Sequence, residues 1–348
     1  YNFLILSILA SFLILLNSCS SRGKIWDPAD AREFPAEPEK RVQKNLEEGR
    51  GFRIMDLNKK EGGGSFEFYI QNNYQASSTL GYNNARDVMY SEIDLKPGNQ
   101  LTGVYSGYSI ILDLSQDPST NAYDQGINCE HTWPQSLGAG SEPMKSDMHH
   151  LFPTKSNVNS SRGNDPFSDI PDTNTDKWYR DDYYIETIPN SDIDEYAEKW
   201  NPPNQDDERF EPREQQKGDT ARAMFYFYTI YENQATAGFW ELQEQQLIDW
   251  HFYDLPDQSE INRSNSIASY QGNNNPYVID PSLVGRIFLI DEGTILGDMN
   301  SDSSLDVLDL IVSISYIVGQ SDLVYNDVLI SDANYDFCLL YTSDAADE

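Results

Sequence analysis

A cluster of polar side chains in the middle of the chain could cleave a phosphate ester. Glu130 and His131 lie in one short block, and Asn159 and Arg162 lie in another. A neutral imidazole accepts a proton near pH 7, carboxylate and carboxamide oxygens suit Mg²⁺, and a guanidinium can bind a phosphate through two N–H groups. Hydrolysis of a phosphodiester needs such a base, a cation and a group that holds the phosphate. The cluster therefore predicts a divalent-metal-dependent phosphodiester hydrolase.

The adjacency of Glu130 and His131 limits how they can act together. Neighbours on a regular strand point to opposite faces, so the two side chains converge only where the backbone is irregular. Pro134 and the glycines that follow it favour such irregularity. Asn159 and Arg162 are three residues apart on a predicted helix, so we expect them to share a face.

Other side chains near this cluster have two interpretations each. Trp133 either stacks on a substrate base or is buried beside the site. His149 and His150 would face apart on a strand, so they form a poor metal pair, and one of them is either structural or in contact with substrate. Asp147 either orients a histidine or satisfies a turn. We take Trp133, His149 and Asn164 as candidate substrate contacts.

The elements that position these residues follow the order strand, long loop, strand, helix. Segment 105–114 is rich in β-forming residues and predicts the first strand, and 148–152 predicts the second. Thr154 is a candidate cap for a helix that runs through Arg162 and ends at Gly163.

The sequence of the rest of the central region predicts that mainly helices pack around these elements. Segment 84–93 is a candidate helix, and 169–207 is polar, rich in Pro and Asp, and predicted to be loop. A strong helix is expected to begin with Asp219 as its cap, followed by another over 238–251 and a turn at 271–276. The first of these helices carries an apolar stripe that predicts burial: Ala221, Met224, Phe225, Tyr228 and Tyr231.

Five blocks of this region, in order, resemble the bacterial endonuclease I family. They are Glu-His-Thr-Trp-Pro-Gln-Ser at 130–136, Ser-Asp-Met-His-His-Leu-Phe-Pro-Thr at 146–154, Asn-Val-Asn-Ser-Ser-Arg-Gly-Asn at 157–164, and the segments 217–226 and 271–276. The resemblance extends over about 81–288. It implies an α+β fold with a ββα-metal (His-Me) finger inside a mixed helical domain.

The family pattern also implies roles for individual residues. His131 would be the general base, Glu130 and Asn159 would bind Mg²⁺ or Mn²⁺, and Arg162 would lie near the phosphate. The implied activity is cleavage of DNA, and often RNA, with little sequence preference and with 5′-phosphate products. Family nucleases are often stapled by disulfides, whereas Cys129 is the only cysteine within 66–290.

The C-terminal region resembles one half of a type I dockerin repeat, an EF-hand-like calcium module that docks to a cohesin-like protein. Its oxygens fall at the spacing of a calcium loop, although Ser303 replaces the usual glycine and the last ligand is aspartate. The alternative is an acidic surface turn. A second loop begins at 332–336 and then departs from the pattern. The predicted Ca²⁺ ligands are Asp298, Asn300, Asp302, Asp306 and Asp309.

The chain is therefore predicted to have five regions. They are an apolar leader (1–19), a charged tether of unknown role (20–65), the nuclease domain (66–290), the calcium module (297–336) and a tail that looks non-native (337–348). Cys19 fits a lipidated residue of a lipoprotein, and an ordinary secretory signal is the alternative. Either leader places the mature protein outside the cell or on its surface.

The composition is that of a globular protein, with 39% hydrophobic residues, and the net charge is −33. Such acidity opposes general electrostatic binding of nucleic acid, so capture would depend on the metal and a few local cations.

The sequence leaves two other function classes to consider. One is an inert, lipid-anchored or calcium-dependent binding protein, and the intact catalytic set argues against it. The other is a zinc hydrolase, but the chain has only 4 histidines and no spaced pair.

Overall fold

The structure is a computed structural model that describes residues 70–289, 297–302, 304 and 307–317. The chain divides into two compact units, of which one spans 65–287 and the other comprises 1–64 and 288–348. Several predicted features lie outside the described residues: the leader with Cys19, the tether, Asp306, the second loop at 332–336 and the tail.

The larger unit combines helices with small antiparallel sheets, which confirms the predicted α+β class. Its helices are α1 (Tyr82–Val88), α2 (Pro118–Asp124), α3 (Ser156–Arg162), α4 (Lys217–Ile230), α5 (Ala237–Glu241), α6 (Glu244–Tyr253), α7 (Gln258–Gln271) and α8 (Pro276–Ile279). Its strands are β1 (Leu95–Lys96), β2 (Gln100–Thr102), β3 (Ser109–Ile111), β4 (Ile127–His131), β5 (Leu151–Lys155), β6 (Lys177–Arg180), β7 (Tyr183–Ile185), β8 (Ala197–Trp200) and β9 (Arg209–Glu211).

The candidate site is built on an antiparallel pair of strands followed directly by a helix. β4 pairs with β5 so that Glu130 lies opposite Phe152 and His131 lies opposite Leu151. Helix α3 begins at the residue after β5 and ends at Arg162. The next residue, Gly163, has a φ of 59° and a ψ of −120°, a conformation that glycine adopts readily and that side chains with a Cβ rarely adopt.

Three details of the predicted order were wrong. The segment 105–114 contributes only the short strand β3, which belongs to a separate sheet with β1 and β2. The segment 148–150 forms a 3₁₀ turn, so the second strand begins at Leu151. Thr154 lies inside β5 and is buried, and Lys155 takes the position before the helix.

Both faces of β4 are covered, because the core lies on one side and α3 on the other. On the core side, Ile127 packs with Met89 of a π-helical turn (Met89–Ile93) and with Leu151. On the other side, Asn128 accepts a hydrogen bond from Asn159 of α3 at 2.9 Å. The strand therefore shows no hydrophobic alternation, which explains why its extent was not evident from the sequence.

The segment 169–207, predicted to be loop, instead forms most of a four-stranded antiparallel sheet in the order β7-β6-β8-β9. Within this polar segment, aromatic side chains form the packing contacts of the sheet. Trp178 of β6 is fully buried and its ring contacts Tyr196, whose centroid is 6.3 Å away. Short aromatic runs of two or three residues between polar segments give a weak strand signal, and tertiary packing decided the outcome.

Helix α4 forms the centre of the core, as its apolar stripe predicted, but Asp219 is not its cap. Asp219 lies in the first turn and pairs with Arg222 at 3.2 Å, while Gln216 precedes the helix. The helix predicted over 238–251 is divided into α5 and α6 around Gln243. The buried Gln243 amide donates to Phe239 O at 2.7 Å and accepts from the Phe167 N–H at 3.0 Å.

The smaller unit contains a loop at 297–302 and the helix α9 (Val307–Ile317). The Asp298 carboxylate accepts a hydrogen bond from Asp302 N at 3.0 Å, and the Asp309 carboxylate accepts one from Asn300 N at 3.3 Å. Calcium binding by this loop stays a prediction. Within the part of the chain that the structure describes, every helix is too short or too polar to span a lipid bilayer.

Two buried glutamates face each other across β8 and β9. Glu198 and Glu211 are direct cross-strand partners. Burial raises the pKa of Glu198 to about 8 and that of Glu211 to about 7, and Lys217, 2.8 Å from Glu211, opposes the second shift. Both values lie above the ordinary 4.5, so the folded state holds protons that the unfolded chain releases.

The wild-type protein should therefore lose stability as the pH rises through 7 and 8, and Glu198→Gln should remove part of that loss. We expect the variant to gain about 1–2 kcal/mol over wild type at pH 9 and little at pH 5. Thermal unfolding followed by circular dichroism at pH 5, 7 and 9 measures this. Glu186→Gln, an exposed substitution on the adjoining segment, is the control. An equal pH dependence in wild type and Glu198→Gln would contradict the raised pKa of Glu198.

Candidate active site

Glu130 and His131 point to opposite faces of β4, because the strand stays regularly paired through both residues. The Glu130 side chain lies on the α3 side, where it contacts Arg162. The His131 ring lies on the core side, 5.4 Å between centroids from Tyr82 and 5.5 Å from His150. The irregular backbone that would let the two side chains converge does not occur within β4. The structure instead pairs Glu130 with Arg162, while Asn159 contacts Asn128 and the Cys129 carbonyl.

The Glu130 carboxylate is 2% exposed and is held by two donors on one oxygen. Oε1 accepts hydrogen bonds from the Tyr105 hydroxyl at 2.8 Å and from Arg162 Nη1 at 3.2 Å. Burial raises the pKa of Glu130, against the opposing effects of Arg162 and the Tyr105 hydroxyl. The sequence predicted Tyr105 only as part of a strand and not as part of the site.

Arg162 is buried and links α3 to the end of β4 through hydrogen bonds. It is 1% exposed, and its Nη1 and Nη2 donate to His131 O at 3.1 Å and Thr132 O at 2.8 Å. The guanidinium also lies over the Phe167 ring, 4.4 Å from its centroid. Its terminal nitrogens are thus committed to the protein's own backbone and to Glu130. This arrangement supports a structural role rather than the predicted fork onto a phosphate.

Both amide hydrogens of Asn159 are used within the protein. Its Nδ2 donates to Asn128 Oδ1 at 2.9 Å and to Cys129 O at 3.1 Å, which uses both amide hydrogens. Oδ1 is then the atom that can bind a metal. One carboxylate and one carboxamide fit a hard cation such as Mg²⁺, which keeps several of its waters. Across 70–289, 297–302, 304 and 307–317, no group of three or more His, Cys, Asp or Glu side chains could hold a metal.

His131 is held in the form that a general base requires. Its Nε2 lies 3.1 Å from the carbonyl oxygen of Lys145. A carbonyl only accepts, so Nε2 carries the proton and Nδ1 carries the lone pair. Nδ1 faces the exposed Gln135, whose Nε2 is 3.4 Å away. Burial, helped by His150, lowers the pKa of His131 to about 3, so the ring is neutral at pH 7.

Two candidate substrate contacts are buried in this structure. Trp133 is fully buried, stacks on Phe227 with centroids 4.9 Å apart, and donates to Leu137 O at 2.8 Å. His149 is also buried, and its Nε2 lies 2.9 Å from Asn273 O. For both residues the geometry supports the structural interpretation that the sequence left open. Asn164 is exposed just beyond α3 and can still reach a substrate.

Replacing Arg162 by methionine should destabilise the protein by about 3–5 kcal/mol, because the Glu130 charge would lose its buried partner. Urea denaturation without substrate or metal measures this. The double variant Glu130→Gln/Arg162→Met should recover part of the loss. Arg180→Met is the matched control, since its ion pair with Asp192 is solvent-exposed and should contribute at most about 1 kcal/mol. If Arg162 acted only on a phosphate, Arg162→Met would unfold at the wild-type midpoint.

The region that contains β4, β5 and α3 matches a known protein family. The family model described as Endonuclease I matches residues 55–282, a range that contains β4, β5 and α3. The chain is 30% identical over 199 residues to an extracellular ribonuclease of Bacillus subtilis (strain 168) and 29% identical over 205 residues to one of Bacillus amyloliquefaciens. These matches cover 51% and 52% of this chain but only 61% of each relative. Since the family model matches well over half of the chain, the protein belongs to the Endonuclease I family.

Proposed function

We propose that the protein is a secreted nuclease that hydrolyses phosphodiester bonds with the help of a divalent metal. The observation that carries the proposal is the state of His131, a neutral ring whose Nε2 is fixed on Lys145 O and whose Nδ1 faces the exposed Gln135. Membership of the Endonuclease I family supports the same reaction. The extracellular location named for both relatives supports secretion.

In the proposed reaction, Nδ1 of His131 takes a proton from the attacking water. The positive charge that develops on the ring strengthens the hydrogen bond from Nε2 to Lys145 O. Glu130 and Asn159 would hold Mg²⁺ or Mn²⁺ on the α3 side of β4. A bound Mg²⁺ would offset negative charge on the phosphoryl and leaving oxygens. His131 is the last residue of β4. We propose that the scissile phosphate binds just beyond this end of the strand, where side chains from both faces could reach it.

The proposed substrate is nucleic acid with little sequence preference, and the products would carry 5′-phosphates. Both matched relatives are named ribonucleases, which favours RNA as a substrate beside DNA. The net charge of −33 works against capture of any polyanion. We therefore expect capture to depend on the metal and to be helped by modest salt.

A separate proposal concerns the smaller unit. Asp298, Asn300, Asp302 and Asp309 would bind Ca²⁺, and α9 would then belong to a docking surface for a cohesin-like protein. The support is local: the carboxylates of Asp298 and Asp309 already face backbone N–H groups of the loop. Lipid attachment through Cys19 is a further proposal that rests on the sequence alone.

The full chain should nick plasmid DNA and degrade RNA in Mg²⁺, and a chelator should abolish both activities. His131→Ala should lower the rate by about 10²- to 10⁴-fold, the usual contribution of a general base. The matched control is His251→Asn, a buried histidine whose Nε2 contacts Pro281 O, and it should retain activity. Circular dichroism would establish that each variant is folded. A folded wild-type chain that cleaves neither polymer would rule out the nuclease proposal.

The metal assignment has its own test. Asn159→Ala should raise the Mg²⁺ concentration needed for half-maximal cleavage by about 10- to 100-fold, with a smaller effect on the rate at saturating metal. Asn157→Ala, an exposed substitution on the same helix, should leave the Mg²⁺ requirement unchanged. Equal Mg²⁺ dependence of both variants would show that Asn159 is not a ligand.

A further inference from the structure

A buried carboxylate lies at the base of the loop that joins β4 to β5. Asp147 is fully buried and both of its oxygens are hydrogen-bonded. Oδ2 accepts from the hydroxyls of Tyr226 at 2.7 Å and Tyr231 at 2.6 Å. Oδ1 accepts from Gln271 Nε2 at 2.7 Å and from His149 N at 3.1 Å. The loop is thereby fastened to both α4 and α7.

The donors around Asp147 are themselves oriented. Asn273 Nδ2 donates to the Tyr226 hydroxyl at 2.7 Å, so the hydrogen of that hydroxyl is directed to Asp147. Gln271 Oε1 accepts from Met148 N at 3.0 Å, which directs the Gln271 amide nitrogen to the same carboxylate. Burial alone would raise the pKa of Asp147, but His149, His150 and these donors lower it below its usual value. The hydrogen bonds therefore favour the ionised form of the Asp147 carboxylate.

The turn that ends at Asp147 holds two histidines by consecutive carbonyls. Met144 O lies 2.6 Å from His150 Nε2, and Lys145 O lies 3.1 Å from His131 Nε2. These carbonyls belong to the 3₁₀ turn Met144–Ser146, and Asp147 is the next residue. The position of the Lys145 carbonyl is thus set by the residue that α4 and α7 hold in place.

We propose that Asp147 is a positioning residue for the general base. Its hydrogen bonds fix the turn at 144–146, the turn fixes the Lys145 carbonyl, and that carbonyl keeps the His131 proton on Nε2 and the lone pair on Nδ1. The proposal rests on the proposed function for the role of His131. The tautomer and orientation of the ring can be measured independently of any activity.

Asp147→Asn is a demanding test because the side chain keeps its shape. Its carboxamide oxygen can still accept from Gln271 and from the His149 N–H. Its NH₂ group would face the two tyrosine hydroxyls, and the Tyr226 hydroxyl already accepts from Asn273. The hydrogen of that hydroxyl would then lose its acceptor, so the turn should shift although its volume is unchanged.

A milder variant covers the case in which Asp147→Asn fails to fold. Tyr226→Phe/Tyr231→Phe removes both donors to Oδ2 and leaves the carboxylate and the bonds to Oδ1. The matched control is Tyr277→Phe, which also removes a buried hydroxyl, one that lies 2.5 Å from Thr229 Oγ1 between α8 and α4. Its hydroxyl makes this contact away from the turn at 144–146.

Two readouts separate positioning from a merely structural role. The first is the ¹⁵N NMR spectrum of the histidine rings at neutral pH, with His131 assigned by its loss in His131→Gln. The second is the separation of kcat from KM for cleavage of an RNA oligonucleotide in Mg²⁺. We expect wild type and Tyr277→Phe to show a single Nε2–H tautomer for His131. Asp147→Asn and the double variant should show a mixture, with kcat about 10²-fold lower and KM changed by less than about threefold.

The outcomes are decisive in each direction. A folded Asp147→Asn or double variant with the wild-type tautomer and wild-type kcat would overturn the proposal. If Asp147→Asn does not fold, the double variant decides by the same two readouts. If wild type cleaves no nucleic acid, the proposed function fails, and the tautomer shift alone then supports or overturns the positioning role.

Discussion

The covering of β4 on both faces is the constraint from which the rest of the site follows. A strand sends successive side chains to opposite sides, so Glu130 and His131 are separated by the strand itself. Each side then needs its own partners, because a buried polar group without a hydrogen bond is costly. Arg162 and Tyr105 satisfy Glu130, and the Lys145 carbonyl satisfies His131.

The two faces of β4 differ in their electrostatics. On the α3 side the charge of Glu130 is matched by the guanidinium of Arg162. On the core side the imidazole is neutral because burial disfavours its charged form. An imidazole and a carboxylate can thus lie one residue apart without forming an ion pair. The backbone of β4 itself keeps the imidazole and the carboxylate apart.

Sequence reasoning predicted the family better than it predicted the contacts of the candidate site. The blocks around Glu130 and Asn159 identified the family and the end of α3 at Gly163, because these signals are local. The burial of Trp133 and the committed state of Arg162 depend on partners far along the chain, such as Phe227. The carbonyl of Lys145 could not have been found from the sequence, since every residue carries one. The sheet at 177–211 was missed because its strands are only three or four residues long and are separated by polar segments rich in Asp and Pro.

The direct passage from β5 into α3 has a consequence for how the chain can vary. Each residue added to a helix start rotates the following side chains by about 100°. One residue inserted between Lys155 and Ser156 would turn Asn159 away from Asn128. In the long connection between β4 and β5, Thr236 N and Oγ1 donate to Leu137 O at 3.2 Å and 2.8 Å, whereas Gly140 and Ser141 are exposed. Length changes among homologous chains should therefore accumulate near 140–141 and be excluded from the strand–helix junction.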